Sequence, residues 1–109
     1  ELLVCNTDPQ DKPGTHWIVI YVDKNGRGEY FDSFGTEPPA VFKDYMNKHC
    51  HHWTFNSRKL QSVLSRFCGH YCCFYYVYRY NGFCMRKIVS MFTNDTTFND
   101  VLVHKFVCR

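Results

Sequence analysis

Apolar residues fall along this chain in blocks of different length and period, and those differences predict its elements. Leu2, Leu3, Val4 and Cys5 open it with an apolar segment. Residues 6–14 are polar, carry two prolines and a glycine, and read as a loop. Trp17–Val22 is an unbroken β-branched and aromatic run, too short for a helix and bounded by turn formers, which predicts a buried strand. Asp23, Lys24, Asn25 and Gly26 carry hairpin-type turn chemistry. The next apolar residues, Tyr30, Phe31 and Phe34, end at Gly35, so a second, antiparallel strand is predicted.

Beyond Gly35 the period lengthens. Thr36 is placed as an N-cap with Pro38 and Pro39 in the first turn, and Val41, Phe42, Tyr45 and Met46 recur at helical steps. Residues 49–55 fit a loop or a short strand equally well. Cys68–Tyr80 is almost wholly apolar and aromatic, of helical length, and closed by Asn81 and Gly82. A central helix buried on nearly all faces is predicted there. A shorter helix is expected over residues 85–92, and Phe98, Val101, Leu102 and Phe106 mark a last amphipathic helix behind caps at Asn94 and Asp95.

Composition narrows the class. One hundred and nine residues allow a single domain or part of one, and 18% aromatics supply ample core volume, which excludes disorder as the main description. No apolar run approaches the roughly 20 residues that span a bilayer. Thirteen Lys and Arg against ten Asp and Glu leave a net charge of +3, too small to imply nucleic acid. Arg58, Lys59, Arg66, Arg79, Arg86 and Lys87 are spread among apolar residues and read as mostly solvated. Seven cysteines leave an odd thiol under any pairing. With no secretory pattern at the start, free thiols in a reducing compartment are expected, in cytoplasm, nucleus or virion.

Reactive side chains concentrate in four places: around His16, around Asp32, at His49-Cys50-His51-His52, and from Gln61 to Cys73. Taken singly, His16 reads as an exposed junction residue and Asp32 as a turn residue. Cys68 is more telling, since a thiol at a helix N-terminus is favoured as thiolate by the dipole and the free N–H groups. A cysteine nucleophile needs a base, and the base needs an orienting partner. A strand leaving His16 and returning through Asn25 brings Asp32 back to the same end, and Gln61 on the loop before the helix could offer an amide N–H to an oxyanion. A zinc site is the competing reading, because residues 49–52 and Cys68, His70, Cys72 and Cys73 are all zinc-type ligands. Their spacing argues against it: four consecutive ligands cannot all face one ion. No metal is therefore assigned.

In their order and spacing, Gly14-Thr15-His16-Trp17, Tyr30-Phe31-Asp32-Ser33-Phe34-Gly35 and Gln61-x3-Ser65-x2-Cys68-Gly69-x2-Cys72-Cys73 resemble the adenovirus-type (adenain-like) cysteine proteases, within the Ulp1-like clan. The resemblance runs from about residue 6 to Tyr80. It implies an α+β papain-like cysteine protease fold in Ulp1/adenain order, with a small, mainly antiparallel sheet and the nucleophile on a central helix. It implies His16 as general base, Asp32 as acid member where adenovirus enzymes have Glu, Gln61 in the oxyanion hole and Cys68 as nucleophile. Trp17 and Gly69 would bind substrate along a narrow channel, so that cleavage follows small residues, often glycine. The implied enzyme is viral or encoded by a virus-like DNA transposon, and its substrates are capsid-type precursors or ubiquitin-like conjugates.

Further implications are narrower. Cys50 lies about where adenoviral enzymes place the cysteine that forms a disulfide with an activating peptide, although a buried thiol accounts for it as well. Cys72 and Cys73 should fill core volume. No cofactor is required; an activating peptide or DNA enters by family analogy only. The family domain starts with a helical segment absent from this sequence, so a single peptidase domain over residues 1–109 without that segment is expected. A zinc-stabilised interaction module and a decayed protease kept as a binding domain are the alternatives.

Overall fold

A computed structural model describes residues 1–7, 16–63 and 65–108. Its elements run β1 (Leu2–Asn6), β2 (Trp17–Val22), β3 (Arg27–Phe31), α1 (Ala40–His49), β4 (His52–Phe55), α2 (Cys68–Tyr80), α3 (Met85–Val89) and α4 (Thr96–Val107). The architecture is α+β. The strands form one sheet in sequence order, with β1, β2 and β3 antiparallel and β4 parallel to β3.

Alternation along the strands splits the core in two. Val19 and Phe31 face the α2, α3 and α4 side, where Phe31 stacks on Tyr75 at 4.3 Å between ring centroids. Ile18, Ile20 and Tyr30 face α1, against Met46 and Cys50. This is the period-2 rule at work: successive side chains leave a strand on opposite faces, so one apolar run serves two layers. Glu29 on β3 ties α2 and α3 to the sheet, accepting from the Tyr75 hydroxyl and from the Met85 N–H at 3.2 Å and pairing with Arg79 at 3.1 Å.

Several expectations are corrected. The second apolar run stops as a strand at Phe31, and residues 32–35 turn, with Phe34 outside the sheet. Thr36 does not cap α1; Pro39 occupies the cap with no side-chain bond, so both prolines precede the helix. Their fixed φ and the missing N–H groups suit the approach to a helix. Of residues 49–55, the short-strand alternative holds for His52–Phe55, which form β4 and pair with β3, while His49 ends α1. The α2 helix has one open side, with Gly69, Cys73, Tyr76, Val77 and Tyr80 exposed, so Cys72 fills core and Cys73 does not. Asn81 and Gly82 do close α2, and the helix over residues 85–92 ends at Val89. Asp95 does cap α4, accepting from the Phe98 N–H at 3.1 Å, whereas Asn94 accepts from Arg58. Asn6 ends β1, and the rest of the loop expected over residues 6–14 lies outside the described residues except Thr7. Arg58 and Arg79 are not mostly solvated: the Arg58 guanidinium donates to the carbonyls of Val89 and Phe92, and Arg79 pairs with Glu29 and donates to the Phe83 carbonyl. No described helix is long and apolar enough to cross a membrane.

Two glycines set close approaches that matter for the site. A Cβ at Gly28 would lie 2.4 Å from the Cys50 sulfur, so the bare strand is what lets that thiol sink against the sheet. Gly35 has φ +69°, and a Cβ there would meet the Arg58 carbonyl carbon at 2.7 Å. It closes the turn after β3, with its N–H on the Asp32 carbonyl at 2.8 Å. Gly35→Ala is expected to destabilise the chain by roughly 1–3 kcal/mol through left-handed backbone strain, read as a lower urea midpoint. An unchanged midpoint would mean that the turn does not hold this geometry.

Candidate active site

The site is assembled where the end of β3, the start of β2, the loop before α2 and the first turn of α2 meet. His16 precedes β2, and its carbonyl accepts from the Thr7 N–H at 3.0 Å, so pairing of the β1 and β2 ends fixes the backbone under the imidazole. Its ring stands at 5.1 Å from the Phe34 ring, which the turn after β3 brings over it.

Asp32 is buried directly after β3. Its Oδ1 lies 2.9 Å from His16 Nε2 and accepts the Phe34 N–H at 2.8 Å. Asn56 clamps the same residue through its backbone, accepting from the Asp32 N–H at 2.9 Å and donating to the Asp32 carbonyl at 2.7 Å. This reciprocal pair holds the carboxylate in place without occupying it. Nothing in the sequence around Asn56 announced it.

The neighbour of Asp32 organises the other half. The Ser33 carbonyl accepts from the N–H groups of Leu60 and Gln61 at 2.8 and 3.0 Å, and its hydroxyl donates to Gln61 Oε1 at 2.5 Å. Gln61 is fully buried, and its Nε2 donates to the Ser65 carbonyl and hydroxyl at 3.1 and 3.2 Å. Helix α4 supports the loop from behind: Asn99 donates to the Leu60 carbonyl at 3.1 Å, and Asp100 accepts from Tyr71 at 2.7 Å and from the Ser62 N–H at 3.4 Å. Asn99 and Asp100 are buried polar groups on an otherwise apolar helix face, and their pairing follows from the desolvation cost of leaving them unmade.

Cys68 is the first residue of α2, and Phe67 at the cap makes no side-chain bond. The helix dipole and unsatisfied N–H groups therefore bear on the sulfur. Burial by itself would raise the Cys68 pKa, but contact with His16 and the N–H groups of Trp17 and Gly69 outweighs it and lowers the thiol below its ordinary range. Burial likewise opposes protonation of His16, yet hydrogen bonding to Asp32 and to Cys68 raises its pKa to about 9. With Nε2 committed to Asp32, the buried Nδ1 is the nitrogen left to face the thiol. Both shifts favour the charged pair, thiolate and imidazolium, over the neutral one.

A cleft lined by His16, Trp17, Gln61, Ser65, Cys68 and Gly69 opens onto this cluster. Trp17 is partly exposed on its wall, and Gly69 leaves open space beside the thiol. Cys50 is elsewhere, buried between the sheet and α1 with its thiol pKa raised by burial, which favours the packing account over a disulfide with a peptide. Residues 49–52 do not gather with those of α2; among the described residues, the metal-type side chains that converge are His70, His104 and Cys108. Gly14 and Thr15 of the first motif lie outside the described residues.

No family model matches the chain. It is 42% identical over 48 residues to a cysteine protease of African swine fever virus, covering 41% of this chain and 18% of the relative. A protein of Acanthamoeba polyphaga mimivirus bearing a provisional thiol-protease name is 28% identical over 109 residues, covering 90% of this chain and 35% of that protein. A crystal structure of the African swine fever virus protease superposes with a TM-score of 0.70 at 27% identity, over 94% of this chain and 42% of that one. The chain thus spans less than half the length of each. The α+β fold is that of the African swine fever virus protease, and the relatives matched carry viral cysteine- or thiol-protease names, the class its spaced motifs resemble.

Proposed function

We propose that the chain carries the catalytic centre of a cysteine endopeptidase, with Cys68 as nucleophile, His16 as acid and base, Asp32 as its orienting partner and Gln61 at the oxyanion. The observation that carries this reading is the single imidazole placed between a buried carboxylate and a thiol at a helix N-terminus. The Cys68 thiolate attacks a peptide carbonyl, forming the carbon–sulfur bond and an oxyanion. The Cys68 N–H and an N–H of Gln61, exchanged from the Ser65 hydroxyl, receive that charge. Collapse breaks the carbon–nitrogen bond as His16 gives its proton to the leaving amine, leaving a thioester. His16 then takes a proton from water, whose oxygen attacks the thioester and restores the thiolate.

Asp32 works through His16: it fixes the ring and stabilises its charged form, as the third member of such arrangements does. The open space beside Gly69 and the Trp17 wall support a protein substrate whose residue before the cut is small, such as glycine, in capsid-type precursors or ubiquitin-like conjugates. Seven cysteines with no disulfide among them support a reducing compartment, cytoplasm, nucleus or virion. A peptide or DNA activator remains a proposal by family analogy and is not needed for the chemistry above.

Labelling by a peptide vinyl sulfone ending in Gly-Gly, followed by mass spectrometry, tests the assignment. Cys68→Ala is expected to abolish labelling and cleavage, while Cys73→Ala and Cys50→Ala retain both; equal labelling of the Cys68→Ala chain would overturn the reading. Gln61→Ala is expected to lower kcat by about 10²–10³-fold, the usual loss for one oxyanion donor. The pH profile of kcat/KM is expected to be bell-shaped. Its acid limb reports the depressed Cys68 thiol, and its alkaline limb falls near the His16 pKa of about 9 as the imidazolium loses its proton. A rate that keeps rising through that region would show that no imidazolium is required.

A further inference from the structure

The first turn of α2 and the last turn of α4 bring together three side chains that the proposed chemistry does not use. His70 follows Cys68 by two residues. His104 and Cys108 are four apart, at the end of α4 and at its C-cap, so they fall on one helix face. One donor atom from each of the three lies within 4.8 Å of the others, and His104 Nδ1 stands 3.9 Å from the Cys108 sulfur. Zinc bonds of about 2.0–2.1 Å to nitrogen and 2.3 Å to sulfur place tetrahedral ligands roughly 3.3–3.6 Å apart. The His104 and Cys108 pair is already near that separation, and side-chain rotation closes the remainder.

The two imidazoles are also oriented. The Phe67 ring stacks on His104 at 5.4 Å and tilts against His70 at 4.9 Å, and the histidine rings stand 5.7 Å apart. Packing by one aromatic ring accounts for the rings lying side by side, but it does not account for a thiol arriving at the same point from the following turn.

We propose that His70, His104 and Cys108 form a zinc site that staples the end of α4 to the turn of α2 bearing Cys68. Imidazole and thiolate donors select zinc-type ions over magnesium or calcium, which take oxygen ligands. Binding displaces the Cys108 thiol proton to water and leaves the fourth position to solvent. The site is distinct from the thiol and imidazole of the cleft. It differs too from any set drawn from residues 49–52. Its consequence is mechanical: the metal fixes His70 on the rim of the cleft and with it the start of α2.

Cobalt(II) titration of the Cys68→Ala chain is the test, because that background removes the cleft thiol as a competing ligand. One equivalent of cobalt is expected to give a thiolate-to-metal charge-transfer band that zinc displaces and magnesium does not. Cys108→Ser should remove the band, and Cys73→Ser, at an exposed thiol outside the site, should keep it. Outer partners of metal ligands are worth about 10–100-fold in affinity, so His70→Ala and His104→Ala, each losing a ligand itself, should weaken binding by at least about tenfold. Absence of the band at stoichiometric cobalt would overturn the proposal. So would a band that survives Cys108→Ser, or one lost with Cys108 but indifferent to both histidine variants, since a lone thiol would then explain it.

Discussion

The hydrogen bonds of Asp32 and Ser33 are the constraint on which the rest of the site depends. Two adjacent residues leaving β3 serve two different groups: Asp32 takes the His16 imidazole, and Ser33 takes both the backbone and the side chain of Gln61. The dipeptide is itself pinned from three directions, by Asn56 on the Asp32 backbone, by the Gly35 N–H closing the turn, and by the close pass of Arg58. All of these groups are buried or nearly so, where a polar atom without a partner costs about 1–3 kcal/mol. Each bond therefore holds its neighbours in place as well as itself.

Helix α2 completes the arrangement from the other side. Its apolar face is set on the sheet by Phe31 against Tyr75, and Glu29 fastens its far half through Tyr75 and Arg79. The register of the helix on the sheet follows, and that register puts the Cys68 sulfur against His16. On the proposed reading, core packing and electrostatics meet at this point: burial alone would keep the thiol protonated, and the imidazole, the backbone N–H groups and the buried carboxylate behind the ring reverse the balance.

What the sequence made legible follows from where the physical signal lies. Trp17–Val22 and Cys68–Tyr80 have the bounds expected of them, because each is a dense apolar run between turn formers. The Asp95 cap was equally local. The open side of α2 was not legible, since a helix apolar on nearly every face leaves no polar stripe to show which side lacks a neighbour. Thr36 misled because capping chemistry is common in turns, and the two prolines after it begin the approach rather than the helix. Asn56, Asn99 and Asp100, and the part played by Ser33, were invisible for a different reason: the bonds that tie them to the site join segments 24 to 39 residues apart, and no local pattern records such a partner. The cluster of His70, His104 and Cys108 is of the same kind, made only when α2 and α4 pack.

On the proposed reading, the carboxylate of Asp32, acting through His16, favours the thiolate of Cys68. The most direct measurement is the pH dependence of Cys68 alkylation by iodoacetamide, followed on the Cys68 peptide by mass spectrometry, in the intact chain and in Asp32→Asn. The intact chain should alkylate with a midpoint well below the ordinary thiol value of about 8.5, and Asp32→Asn should move that midpoint upward toward it. Coincident curves for the two chains, both titrating as an ordinary thiol, would show that the Asp32 carboxylate does not act on the Cys68 thiol.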